Sequence, residues 1–369
     1  MLTSSDRRYD IDWVRVIAIG LLLLYHVAIG FQSWGIMIGF ITNAEYLTSL
    51  WTPMTMLNIW RIPLLFFVSG MGVYFALQNR TWKQLLLERA GRILIPYLFG
   101  VFVIFPASVV IWKYYYGWPL DYGYSPGHLW FLGNIFAYVV IFTPAFFYLK
   151  KNENGKLVSA IKKVFRTPLG LLIVIGVSVA EAVLVNPNPY EMYALNWHGF
   201  FLGMLCFFFG FCFILSGDGF WKMILTWRWA FLAIAVGMYI FRFNHFQMRV
   251  PNYELAIESV FWIISVFAFG YRYLNRGGKT LKYLSQAAYP VYILHMIFLA
   301  LGSWLIFPLA INAWLKFILV LLFTTAGCFA GYEVVRRIKF IRPLFGLKMN
   351  ERDTPVSRST SPVLKHSML

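Results

Sequence analysis

The feature that most restricts this chain is a series of ten apolar runs, most of them near the roughly 20 residues needed to cross ~30 Å of hydrocarbon as a helix. They fall at about 11–31, 57–77, 93–114, 129–148, 168–185, 197–215, 227–241, 256–274, 284–307 and 311–335. In a bilayer every backbone N–H and C=O must find a partner within the protein, so runs of this length read as helices. The sequence therefore predicts an all-α fold, a polytopic transmembrane helix bundle of about ten spans occupying residues 1–348. Residues 349–369, rich in Ser, Thr, Pro and charge, predict a disordered tail. With 60% hydrophobic and 13% charged residues among 369, a soluble enzyme, a disulfide scaffold and a disordered chain are excluded.

A net charge of +17 in a soluble protein would suggest nucleic acid, but its distribution points elsewhere. Twenty-seven of the 32 Lys and Arg fall in alternate connections and the two ends, whereas Lys113, Arg242, Arg249 and Lys316 are the only ones in the opposite connections. The positive-inside rule then places both termini in the cytoplasm and makes the charge a topology signal plus attraction to anionic membrane lipid, with no nucleic-acid partner. The first apolar run is too long for a cleavable signal peptide and is read as the first span. Cys206, Cys212 and Cys328 lie inside spans without metal-ligand spacing, so they read as small apolar fillers and no metal site is expected. No internal repeat is visible.

Ionisable groups at membrane depth are costly, so each is a functional candidate. Arg15 and His26 are eleven residues apart in the first span. Eleven steps of 100° make three turns plus about 20°, so the two share a helix face about 16 Å apart along the axis. Arg61, expected about one turn into the second span, faces a substrate carboxylate, a developing oxyanion or the His26 face, or else snorkels to the interface. Ser69, Gly70 and Gly72 suggest close helix packing. Arg89 and Arg92, on neighbouring faces of a cytoplasmic helix end, suit a polyphosphate. Tyr292 and His295 share a face near mid-membrane in the ninth span. His128 and Trp130 open the fourth span as aromatic-belt anchors or as the rim of an acceptor site. Glu181 and Glu258 are further candidates without supporting spacing, and His198 and His245 are expected at the interface.

A cationic cluster on one side and an imidazole base at membrane depth suit acyl transfer from a coenzyme A thioester to a hydroxyl, because a hydroxyl needs a base to become a nucleophile. A proton-coupled transporter or flippase of a polar or lipid-linked solute, with His26 and His295 as a proton relay, is the alternative class. Arg15-x10-His26, RIPLLFFVSG from Arg61, Arg89-x-x-Arg92 before ILIPY, HLWFL at 128–132 and YPVYILH at 289–295 together resemble the integral-membrane acyltransferase-3 family. The resemblance runs from Tyr9 to Leu347. It implies a bacterial inner-membrane enzyme moving an acetyl, succinyl or similar short acyl group from a cytoplasmic acyl-CoA (acetyl-CoA or succinyl-CoA) onto a hydroxyl of an extracytoplasmic carbohydrate or glycan. It further implies His26 as the base, Arg15, Arg89 and Arg92 at the donor, Arg61, Tyr292 and His295 in the same cavity, and an acceptor side near His128, Trp130 and Glu181. WRIPLLFFVSG and YEVVRRIKFIRPLFG are also similar to the branch that succinylates periplasmic glucans. Direct transfer and an acyl-histidine intermediate are both open at this point.

Overall fold

The computed structural model describes residues 7–245 and 250–349. Eleven helices carry the fold: α1 (Tyr9–Ile29), α2 (Trp51–Leu77), α3 (Trp82–Tyr115), α4 (Trp130–Lys151), α5 (Lys156–Val164), α6 (Leu169–Val185), α7 (Trp197–Leu215), α8 (Asp218–His245), α9 (Asn252–Tyr273), α10 (Lys279–Ile306) and α11 (Ala313–Arg337). Among the described residues no strand occurs, and nine helices are long and apolar enough to cross a membrane. The expected fifth span, 168–185, is α6, which reaches spanning length only together with α5, bent 94° from it, and this makes ten spans if the pair is counted as one. The expected disordered tail lies, from residue 350 onward, outside the described residues.

Burial orders the bundle. In α2 and α7 72% of the apolar window is inside the protein, against 17% in α8, so the first two form the centre and α8 the rim. Close approach explains the pairing of α2 with α7. A Cβ on Gly70 would stand 1.9 Å from the Phe207 carbonyl oxygen, and one on Gly210 would stand 2.1 Å from that of Phe67. Without a hydrophobic force between helices in lipid, such backbone contact supplies much of the attraction. The three cysteines are buried and unpaired, as small apolar residues in helices.

Two irregularities prepare the site. Pro63 lacks an N–H, so the Ile59 carbonyl loses its helical partner. The hydroxyls of Tyr193 and Ser259 donate to it instead, at 3.0 and 2.8 Å, tying the α6–α7 loop and α9 to the turn of α2 that carries Arg61. In α3 the residues Ala90–Leu94 and Gly100–Ile104 form π-turns, which shift the register of the helix just after Arg89.

Candidate active site

α1, α10 and the turn before α4 bring three imidazoles together. His26 Nδ1 lies 2.8 Å from His295 Nε2, with the two rings parallel to within 1°. His295 Nδ1 is 2.6 Å from the carbonyl oxygen of Tyr292, which can only accept. In the neutral pair His295 therefore keeps its proton on Nδ1, its Nε2 accepts from His26 Nδ1–H, and the lone pair of His26 is left on Nε2. The ring of His128 stands edge-on, 4.8 Å from that of His295, and its Nε2 donates to the Ile293 carbonyl at 3.2 Å. The Tyr292 hydroxyl donates to the His128 carbonyl, fixing α10 against the turn that opens α4.

Arg61 lies ten residues into α2, about 15 Å along the axis, rather than the single turn the sequence suggested, because the helix begins at Trp51. It is 0% exposed and does not snorkel. Its guanidinium lies 4.4 Å from the centre of the Tyr25 ring, and Nη1 donates to the Leu21 carbonyl at 3.3 Å. Its Nε and Nη2 have no hydrogen-bond partner among the described residues. Buried donors left open in this way are costly, and they mark a place where a ligand oxygen can bind. The Arg61 charge reaches both His26 and His295.

At the basic end of the bundle, Arg15, Arg89 and Arg92 lie within electrostatic range of one another. Arg89 Nη2 donates to the Gly72 carbonyl at 3.2 Å, while its buried Nε makes no hydrogen bond among the described residues. Arg92 pairs with Glu88 at 3.1 Å, and Arg15 approaches Asp12 at 3.4 Å. Three guanidinium groups against two short-range carboxylates leave an excess of positive charge at the end of the helix whose far end bears His26.

Tyr289, Tyr25 and Glu88 were not singled out by the sequence. The Tyr289 hydroxyl is buried without a partner among the described residues, within electrostatic range of Arg89, Arg92 and Tyr292. Its position three residues before Tyr292 was the available signal.

Other candidates are placed differently. His128, half-buried, belongs to the histidine cluster rather than to an aromatic belt. Trp130 is buried against Phe66 and Phe131. Glu181 pairs with His198 through Nδ1 at 2.9 Å, away from the three imidazoles. His198, expected at the interface, is 1% exposed, because that carboxylate and the rings of Tyr190 and Tyr193 enclose it. Glu258 and Arg242 form a buried two-point ion pair at 3.0 and 3.1 Å between α8 and α9. Nearby, in the α6–α7 loop, burial pushes the Glu191 carboxyl above its usual range.

Residues 8–333 match the model of a family described as an acyltransferase domain, the acyltransferase-3 family. Among curated proteins the chain is similar to glucans biosynthesis protein C of Escherichia coli strain K12, with 24% identity over 383 residues covering 93% of this chain and 95% of the relative. The protein of the same name from Escherichia coli O81 strain ED1a matches with the same identity and coverage. No solved structure gives a significant match.

Proposed function

The chain belongs to the acyltransferase-3 family, and on that premise we propose that it transfers an acetyl, succinyl or similar short acyl group from cytoplasmic acyl-CoA to a hydroxyl of an extracytoplasmic carbohydrate. The observation that carries this reading is α1 itself. One unbroken helix holds Arg15 among three guanidinium groups at its basic end and His26 against His295 eleven residues further on. The intervening ~16 Å suits an extended pantetheine arm. The glucan named in the related proteins supports a glycan acceptor.

In this reading the CoA phosphates bind Arg15, Arg89 and Arg92. The acceptor hydroxyl arrives from the opposite end and gives its proton to His26 Nε2, the nitrogen left free by the hydrogen-bond network. The hydroxyl oxygen bonds to the thioester carbon. The open Nε and Nη2 of Arg61 then receive the negative charge that develops on the carbonyl oxygen. Collapse breaks the C–S bond, and the departing thiolate takes the proton back from His26 Nε2, releasing CoA and the acyl ester.

Membrane vesicles holding the protein test the reading. Acceptor-dependent CoA release is expected with or without a proton gradient and is expected to disappear in His26→Ala. Proton-dependent solute uptake with no CoA released would instead favour the transporter alternative.

A further inference from the structure

Two adjoining hollows at the basic end involve none of the catalytic or donor residues above. The first is an apolar slot of about 340 Å³ between α1, α2 and α9, walled by Val14, Ala18, Leu21, Leu64, Val266 and Phe269. Small side chains give it width: a Cβ on Gly270 would already stand 3.1 Å from a Val14 methyl. The second hollow, also about 340 Å³, is more polar than the first and is formed by Trp13 and the α9–α10 connection with Arg276, Gly277, Gly278 and Thr280. Both are bounded by Tyr273 and Leu274, so the two share a wall.

This mixed polar and apolar mouth is held in place from α1. Trp13 Nε1 donates to the Arg276 carbonyl at 3.1 Å, the Tyr9 backbone N–H donates to Asn275 Oδ1 at 3.1 Å, and Gly277 lies against the Tyr9 ring. The Arg276 guanidinium itself is exposed and makes no hydrogen bond or ion pair with a described residue. From Arg272 to Lys282 the chain has four basic residues and no acidic one. From Leu274 to Val266 the slot follows α9 for eight residues, roughly 12 Å. That length is close to the ~15 Å of hydrocarbon in one leaflet.

We propose that the two adjoining hollows together bind one anionic phospholipid from the leaflet at the basic end, with its phosphate beside Arg276 and one acyl chain in the slot. Charge complementarity selects the head group. The slot walls carry no charged side chain and suit hydrocarbon better than the two amides of a pantetheine arm. The slot also reaches Leu21 and Trp60, so the chain would back the carbonyl that holds Arg61 Nη1. This inference does not depend on the acyl-transfer reading.

Native mass spectrometry of the full chain, purified in detergent and titrated with phosphatidylglycerol or phosphatidylcholine of matched chains, tests it. The wild type is expected to retain one phosphatidylglycerol at least about tenfold more tightly than phosphatidylcholine, and Arg276→Gln to weaken phosphatidylglycerol alone by about fivefold. Arg276 is exposed, so that variant keeps the fold. Ala18→Met, which places a flexible side chain in the slot, is expected to weaken both lipids. Equal retention of the two lipids, or indifference to both substitutions, overturns the proposal. Displacement of the lipid by glycerol 3-phosphate would reduce the site to an anion pocket and also overturn it. Displacement by free CoA would overturn it too, because the hollow would then be the path of the donor.

Discussion

His26 and His295 lie 269 residues apart in the chain, yet their rings are parallel and joined nitrogen to nitrogen at 2.8 Å. The Tyr292 carbonyl sets the direction of that hydrogen bond by claiming the proton of His295 Nδ1. Histidine 15N shifts of the labelled protein in detergent micelles, assigned with His26→Ala, should show His26 neutral with its proton on Nδ1. A proton on Nε2 instead would contradict the arrangement. His26→Ala should lower acceptor-dependent CoA release by about 10²–10⁴. His295→Ala should lose the tautomer and much of the rate, and His295→Gln, whose amide oxygen can still accept from His26, should recover part of both.

Arg61 offers two buried donors that no described residue uses. Arg61→Met should therefore reduce kcat by about 10²–10³ while leaving the KM for the donor nearly unchanged. A rise in KM with kcat intact would assign Arg61 to ground-state binding of a substrate carboxylate instead.

At the basic end, Arg89→Ala/Arg92→Ala removes two guanidinium groups from the donor cluster. Loss of two charge-assisted hydrogen bonds should weaken CoA binding by at least about 100-fold, measured by calorimetry on purified protein. Unaltered affinity in folded protein would place the donor elsewhere.

The buried pair of Arg242 and Glu258 joins the rim helix α8 to α9. Glu258→Gln leaves a guanidinium uncompensated, so thermal unfolding in detergent should show a loss of about 3–5 kcal/mol. The double variant Arg242→Met/Glu258→Leu should recover most of it, since no charge then remains buried.

Gly70 meets the Phe207 backbone, and any side chain there forces α2 from α7. Gly70→Ala should destabilise the protein by about 1–3 kcal/mol. Gly72, which a Cβ would leave in open space, should tolerate alanine.

How much of the site could be read in advance depended on whether its residues share one helix. Arg15 with His26, Tyr292 with His295, and Arg89 with Arg92 were legible because helical periodicity turns spacing into direction. His128 was left between an aromatic belt and an acceptor rim, since only the structure shows that the connection carrying it folds inward against α10. Tyr289 and Glu88 were passed over because an unpartnered hydroxyl and a shared carboxylate become visible only once their neighbours are known. The buried state of His198 and Arg242 was equally hidden, as each depends on a carboxylate from another helix.

The sequence by itself determined that this chain is a bundle of membrane-spanning helices, with its basic residues gathered at one end and its ionisable groups at a few depths. Each of those properties follows from the solvation of one segment at a time in hydrocarbon or water. Only the tertiary structure decided which of the deep groups meet. The contact of His26 with His295, the open donors of Arg61 and the mouth at Arg276 each depend on two or three helices held in a particular rotation. That rotation is set by backbone contacts such as Gly70 on Phe207 and by the carbonyl that Pro63 sets free. Those are packing relations between distant segments, which hydropathy does not encode.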